Sequence, residues 1–185
     1  MNGPMVIPRS WKDADAVAAT RDFFEQRPPR RAAIHELMKA LLAPDPFSRR
    51  CAADLARRVS AREPGILRAY AGVLTDLAGE LPLAEWQARG YVTLAAAWNA
   101  TTRGERMQLA ILVRAMIDDE RNALRAIALE ALGILAMEEP ELREEAIPLL
   151  ELARRNGTCA MRLRARRTLL ALMKAELRAA TRHAR

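Results

Sequence analysis

The sequence predicts an all-α fold, an α-α superhelix (solenoid) of three to four helical hairpins preceded by an N-terminal helical lead-in. The first observation is composition: hydrophobic residues make up 51% of the 185 residues, mostly Ala and Leu, while aromatic residues reach only 4%. Such a composition favours closely packed helices over sheets. The second is an internal repeat of 36 to 39 residues, a period typical of helical solenoids. We expect a single solenoid domain over residues 1–185, with a flexible N-terminus at 1–10.

The repeat aligns four arginines that are separated by 39, 36 and 37 residues: Arg50, Arg89, Arg125 and Arg162. Small or apolar residues follow each arginine at helical spacing. Three positions on stand Ala53, Val92, Ala128 and Ala165, six positions on stand Ala56, Ala95, Ala131 and Thr168, and nine positions on stand Val59, Trp98, Ile134 and Ala171. The second helices align as Ala71, Ala110 and Ala146, then Leu74, Val113 and Leu149, then Leu77, Met116 and Leu152. These apolar faces are too wide to be buried within one hairpin, so stacking on the next hairpin is needed.

Helix boundaries are marked by capping residues and prolines. Asp45 precedes Pro46, Thr102 and Glu105 form a capping-box pattern, and Asn156-Gly157 predicts a helix end. The predicted helices span about 11–25, 30–42, 46–60, 64–78, 83–99, 103–117, 119–136, 140–154 and 158–182. Pro148 lies inside one of them, so we expect that helix to be kinked or to start late.

The segment LRAIALEALGIL (Leu124 to Leu135), followed by PELREEAIPLLELA, resembles the HEAT-repeat family, whose first helix has an arginine followed by small residues and then leucine. The resemblance covers roughly residues 46–175. It departs from the family at Gly90, inside a predicted helix, and in the last unit, where no partner helix is evident. The resemblance implies a right-handed superhelix with a concave surface that binds a macromolecule, and it implies no chemistry.

Charge is distributed unevenly along the chain. Residues 1–153 carry 20 Lys and Arg against 22 Asp and Glu, whereas residues 154–185 carry 10 against 1. Immediately before this basic tail, residues 118–151 hold 10 acidic and 3 basic residues. Two blocks of opposite sign are therefore neighbours in the sequence.

Catalytic and metal-binding motifs are not found in the sequence. His35 and His183 have no neighbouring Cys or second His, and we expect both to be structural or solvated. Cys51 and Cys159 lie far apart and are expected to behave as small buried hydrophobic residues. Consecutive acids at 118–120 are either a carboxylate cluster at a loop or negative charge near a helix start. We expect the second, and the same holds for Glu138, Glu139 and Glu141. We therefore predict a non-enzyme without cofactor or metal.

Two tryptophans occupy one predicted helix. Trp98 aligns with core positions, whereas Trp86 and the nearby Tyr91 are candidates either for core packing or for lining a groove. Aromatic residues matter on such a surface because the DNA glycosylases built from HEAT-like repeats use aromatic residues and an Asp around the damaged base. That constellation cannot be placed on this sequence residue by residue, so a repeat-type DNA glycosylase ranks only third among the functions considered.

The basic tail contains most of the candidate partner-binding residues: Arg162, Arg166, Arg167, Lys174 and Arg178, to which we add Trp86. One explanation of these residues is a protein-interaction scaffold that binds a protein partner. That partner can be a second copy of the chain, held through the two charge blocks of opposite sign. The alternative is a nucleic-acid binder that uses the tail for phosphate contacts; a third explanation is that the tail is the solvated cap of the solenoid. Residues 154–185 contain no Phe, Trp or Tyr, which excludes base stacking there. The chain contains neither a signal-peptide pattern nor a membrane-spanning apolar run, so we expect a cytoplasmic protein and no membrane contact.

Overall fold

Every regular element in the described part of the chain, residues 12–25 and 30–183 of a computed structural model, is helical. The all-α prediction is therefore confirmed, whereas the prediction for 1–10 concerns residues outside the described ranges. Nine α-helices occur there: α1 Asp13–Glu25, α2 Arg30–Leu41, α3 Pro46–Arg62, α4 Ala71–Glu80, α5 Trp86–Asn99, α6 Arg103–Ile117, α7 Asn122–Glu138, α8 Pro140–Asn156 and α9 Cys159–His183. Among these helices, none has the length and apolar character that crossing a bilayer demands.

Several predicted helix starts are confirmed by capping contacts. The Asp45 carboxylate accepts the Ser48 N–H at 2.8 Å, and Pro46 follows at the first helical position of α3. At α6, Thr102 Oγ1 accepts the Glu105 N–H while the Glu105 carboxylate accepts the Thr102 N–H, which completes the capping box. The backbone hydrogen bond from Thr102 is the main cause that lowers the pKa of Glu105. These contacts satisfy N–H groups that the first turn of a helix leaves without partners.

The predicted helix at 64–78 is wrong in its first half. Gly65 has a φ of +83°, a left-handed conformation that favours glycine and does not continue a helix. Its N–H donates to the Trp98 carbonyl, and the Leu67 N–H donates to Asn99 Oδ1 at 2.6 Å. Because these residues are held by the end of α5, the α-helix begins only at Ala71, after a 3₁₀ turn at Arg68–Tyr70.

Of the two outcomes expected at Pro148, a kink or a late helix start, the late start does not occur. Helix α8 begins at Pro140 and continues through Pro148 to Asn156. Pro148 is exposed, so the carbonyl that loses its donor one turn earlier has access to water.

The chain divides into two compact units, Met1–Asn99 and Ala100–Arg185, each with its own core. In the first unit, α3 packs along α5, α1 and α2 pack on α3, and α4 packs on α5. The repeat positions Ala53, Ala56, Val92 and Ala95 are all buried at this contact, as predicted. Buried Asn99 donates to Ser60 Oγ at 2.8 Å and to the Ala95 carbonyl at 2.7 Å, which satisfies its side chain in an apolar surrounding.

In the second unit, α7 contacts α6, α8 and α9, and α8 also contacts α9. The repeat positions Ala128, Ala131, Ala165 and Thr168 are buried, which confirms the predicted stripe on both first helices. Trp98, predicted as core in the first unit, is only half-buried. Within each unit, first helices that are equivalent in the repeat pack side by side, which is the neighbour relation expected of stacked hairpins.

The predicted stripe on the second helices is confirmed in α8 only at Ala146, which is buried. Leu149 is half-buried and Leu152 is 56% exposed, and the other buried residues are Leu142, Leu150 and Ala153. Steps of three residues turn back by about 60° each on a helix of 3.6 residues per turn, so a stripe built only on threes leaves the inward face. The buried residues of α8 follow one another at intervals of four, four and three, and this spacing keeps them on the inward face.

Arginines at the fourth residue of four helices bind carbonyl groups that precede the helix. Arg143 donates to the Ala136 and Met137 carbonyls at 2.7 and 2.8 Å, and Arg106 donates to the Thr101 carbonyl at 3.0 Å. The other two contacts are Arg49 to Ala43 and Arg89 to Leu81. A cation placed here satisfies carbonyls near the end of the preceding helix and complements its dipole.

Two of these arginines also form ion pairs with a glutamate that directly precedes a later helix. Arg106 contacts Glu139 at 2.7 Å, with side chains 15% and 8% exposed, and Arg49 contacts Glu85 in the same manner. Glu139 is the residue before α8, but its carboxylate makes no capping contact. The prediction that it serves only the helix start is therefore incomplete: it is the buried partner of Arg106.

We expect Arg106→Gln to lower the free energy of unfolding by about 3 kcal/mol, because it removes the close charged partner of the buried Glu139 carboxylate and leaves only Arg103, at 3.9 Å. Arg154→Gln is the matched control in the same unit, since Arg154 pairs with Glu151 at the surface. The control should cost less than about 1 kcal/mol. Urea unfolding of both variants measures the difference, and equal losses would contradict the assigned role of the Arg106–Glu139 pair.

Candidate functional site

The orientation of α9 is set by its packing on α7 and α8. Its buried side chains are Met161, Ala165, Thr168 and Leu172, spaced four, three and four residues apart. The helix begins after Gly157, and Thr158 Oγ1 accepts the Met161 N–H at 3.4 Å, as the predicted helix start requires. A single stripe of α9 therefore faces the core of this unit, and the opposite side faces outward.

Close approach of α7 and α9 depends on Gly133. A Cβ atom at this position would lie 2.1 Å from Thr168 Cγ2 and 3.3 Å from Leu150 Cδ1. The Thr168 hydroxyl donates to the Arg164 carbonyl at 3.0 Å. Only glycine permits this contact, so Gly133 fixes the position of α9 on α7.

The outward side of α9 carries a strip of large aliphatic side chains. Leu163, Leu170, Met173 and Leu177 are 51%, 52%, 59% and 68% exposed. At about 100° per residue these four side chains fall within about 80° of arc. Sequence reasoning missed this strip; the signal was the seven-residue spacing of Leu163, Leu170 and Leu177.

Cations surround this aliphatic strip. Five of the six predicted site residues are exposed on α9: Arg162, Arg166, Arg167, Lys174 and Arg178. Among the described residues, none of these five forms an ion pair, and Arg162 donates only to Cys159 Sγ at 3.4 Å. The side chain of Arg182 lies outside the description. We call the five cations together with the four aliphatic residues the α9 outer face.

Other arginines near the tail are already paired. Arg164 contacts Glu130 on α7, while Arg154 and Arg155 contact Glu151 on α8. Glu176, the acidic residue of α9, lies 3.9 Å from Arg143. Acidic partners therefore offset the positive charge of residues 154–185 at Arg154, Arg155 and Arg164. On the α9 outer face the cations have no acidic partner among the described residues.

Trp86, the sixth predicted residue, belongs to the other compact unit. It is half-buried as the first residue of α5 and lines a hollow of about 260 Å³ together with Phe47 and Arg50. The Arg50 guanidinium lies over the Phe47 ring at 5.1 Å. Trp86 is thus a groove-lining side chain at the start of α5, and it is not a residue of α9.

A second hollow in the same unit, of about 290 Å³, is lined by arginines and Tyr91. The buried Asp54 carboxylate contacts Arg57 and Arg58, and the Arg57 guanidinium stacks on the Tyr91 ring at 4.6 Å. These cations are engaged inside the unit. Their arrangement stabilises the contact between α3 and α5 and offers less free charge than α9 does.

Histidines, cysteines and acidic residues, the types that most often carry catalysis, lie at separate places in the described part of the chain. His35 is exposed on α2, and the side chain of His183 is outside the description. Cys51 is buried, as predicted, and burial raises the pKa of its thiol; Cys159 is exposed at the start of α9, so the prediction that it is buried is wrong. Asp118 and Asp119 lie in the connection between α6 and α7, where Asp119 accepts the Arg121 N–H. Within the described ranges no three potential metal ligands come together.

We expect Gly133→Ala to lower the free energy of unfolding by about 1–3 kcal/mol, because the added methyl group overlaps Thr168 Cγ2. Adding Thr168→Ser removes that atom and should recover part of the loss. Gly104→Ala is the control, since a Cβ there meets nothing closer than 4.0 Å. It should be neutral or stabilising by up to about 1 kcal/mol. Urea unfolding measures all three, and a neutral Gly133→Ala would contradict the close contact.

Comparison of the chain with family models, curated proteins and solved structures finds no match in any of the three.

Proposed function

We propose that the chain is a non-catalytic binding scaffold that mediates protein-protein interaction through the α9 outer face, on a framework of three to four HEAT-like hairpins. The observation that carries the proposal is the strip of four aliphatic side chains, each more than half exposed, among unpaired cations. Exposed apolar groups in a contiguous patch with a polar rim are typical of protein-binding surfaces. The solvated cap of a solenoid, by contrast, requires a polar outer side.

The framework part of the proposal is supported inside each unit. Positions three and six after the aligned arginines are buried in all four first helices. The pairs α3 with α5 and α7 with α9 pack side by side. Stacked hairpins present such helices in a row, and this arrangement most often serves as an interaction platform.

A second candidate function is nucleic-acid binding, which the five unpaired cations of α9 favour. Phosphate contacts require such cations and no base-specific geometry. The aliphatic residues between them, however, have no role in phosphate binding, and the absence of aromatic residues excludes stacking on α9. The protein-binding function accounts for both parts of the surface and is the one we favour.

The protein-binding proposal is tested with the tagged full chain in cell extract, followed by reconstitution with each purified partner. We expect a partner that forms a defined complex with the wild-type chain and loses it with Leu170→Asp, because a carboxylate in the apolar strip is costly to bury. Ile111→Asp is the matched control: Ile111 is 66% exposed on α6 in the same unit. Partners that bind all three chains equally would contradict the assignment to α9, once circular dichroism shows equal helicity.

Nucleic-acid binding is tested by fluorescence anisotropy with duplex DNA, single-stranded DNA and RNA at low and raised salt. If phosphate contacts are the function, binding is strong at low salt, weakens steeply as salt rises, and is reduced by Arg166→Gln and Lys174→Gln. We expect no binding of this strength and no difference between wild type and these variants. Tight, salt-sensitive binding that survives Leu170→Asp would favour the second candidate over the first.

A further inference from the structure

The aliphatic residues of the α9 outer face follow a seven-residue repeat. Leu163, Leu170 and Leu177 are seven apart, Met173 follows Leu170 by three, and Arg166 takes the same place after Leu163. These are the a and d positions of a coiled-coil seam. A period of 3.5 keeps such a seam in line with one partner helix over its length. The geometry therefore fits a single helix lying along α9.

The same face of α7 already receives a neighbouring helix. With the repeat offset of 37 residues, Leu163, Leu170 and Met173 correspond to Ala126, Gly133 and Ala136 of α7, and these are buried. Gly133 makes the close contact with Thr168 of α9. In α9 the equivalent positions carry large, exposed side chains. The face that contacts a helix in α7 therefore has no helix on it in the described part of α9. Large side chains there allow knobs-into-holes packing with a separate helix instead of a close backbone approach.

The flanking charges define the partner. Arg167 and Lys174 occupy the e positions beside the seam, Arg162 and Glu176 occupy g positions, and Arg166 lies within the seam itself. Glu176 lies 3.9 Å from Arg143 of α8, so the flanking charges that have no partner among the described residues are cations. In coiled coils the e and g residues set partner choice through opposite charges. Since these cations have no carboxylate partner among the described residues, a complementary helix carries acidic residues along its own seam.

A second copy of α9 does not meet this requirement. Paired antiparallel, the two helices would place Arg167 and Lys174 against each other, and only Arg162 would face a carboxylate, that of Glu176, which already contacts Arg143. Paired parallel, they would place Arg162 against Arg167. Both arrangements bring like charges together, which is destabilising. Helix α8 of a second copy is also a poor partner, because its Glu141, Glu145 and Glu151 are already paired with arginines of their own unit.

A lipid surface is a poorer fit than a helix. The four aliphatic side chains cover about 80° of arc, less than the apolar face of about 100° or more by which a helix is buried on one side. Neighbouring α8 exposes Glu144, which opposes approach to anionic headgroups.

We propose that the α9 outer face binds one amphipathic α-helix of another protein, whose apolar seam is flanked by acidic residues. This inference rests on the proposed protein-binding function and adds the chemistry of the partner. It assigns the seam to Leu163, Leu170, Met173 and Leu177, and the selection of an acidic helix to Arg162, Arg166, Arg167 and Lys174.

The test titrates the full chain with synthetic three-heptad peptides and follows binding by fluorescence anisotropy. One peptide has Leu at a and d with Glu at e and g; a second replaces Glu by Lys; a third keeps Glu but has Ala at a and d. The like charges keep each peptide from pairing with itself. We expect the acidic leucine peptide to bind, and each of the other two to bind about tenfold more weakly or worse.

Variants of the chain separate the two parts of the surface. Leu170→Asp should abolish binding of the acidic leucine peptide, while Ile111→Asp, on another exposed helix face, should leave it unchanged. The double variant Arg167→Glu with Lys174→Glu should reverse the preference, so that the lysine peptide binds better than the glutamate peptide. This reversal is a readout that loss of folding cannot produce.

Three other outcomes would each overturn the inference, and each identifies a different reason for its failure. Equal binding of the acidic and basic leucine peptides refutes the acidic partner but leaves protein binding through α9 standing. A concentration-dependent dimer that Leu170→Asp abolishes, seen by light scattering without peptide, makes a second copy the occupant. Failure of every peptide together with binding to phosphatidylserine vesicles removes both the inference and the proposed function.

Discussion

The contact between Gly133 on α7 and Thr168 on α9 determines which side of α9 is available for binding. No larger residue than glycine fits there, since an added Cβ would lie 2.1 Å from Thr168 Cγ2. This contact turns Met161, Ala165 and Leu172 toward the core and leaves the opposite residues outward. Close-packed interiors tolerate little change in volume, so the rotation of α9 has little freedom. The α9 outer face is therefore a consequence of one small residue on a neighbouring helix.

Arginine has two different roles in this chain, and they depend on its position in a helix. At the fourth residue of α3, α5, α6 and α8 it binds carbonyl groups that precede the helix, and in two cases it also pairs with a nearly buried glutamate. The planar guanidinium suits both contacts because it offers several donors in a fixed arrangement. On α9 the arginines have no such partners among the described residues. The residue type that holds the helices together in one place supplies an exposed charged surface in another.

The opposite charges of the sequence are only partly balanced in the folded second unit. Acidic residues of α7 and α8 neutralise Arg164, Arg154 and Arg155, so the pairs connect neighbouring helices or turns within a helix. Surface pairs of this sort contribute little to stability. Their larger effect is to determine which basic side chains are left without an acidic partner. What remains is the group of cations that borders the apolar strip, and this combination of apolar and cationic groups is the basis of the proposed partner.

The sequence by itself determined the helical class, most helix boundaries and the buried repeat positions such as Ala53, Ala131 and Ala165, because these depend on local propensity, capping and periodicity. It also identified the cations of α9, since charge is visible in composition. Only the tertiary structure decided which side of α9 is covered, because that depends on the packing at Gly133. It likewise decided that Glu139 is a buried partner of Arg106, that Leu152 is exposed and that the helix predicted from residue 64 begins only at Ala71, after Gly65. Each of these depends on contacts with residues distant in sequence, which local patterns do not encode.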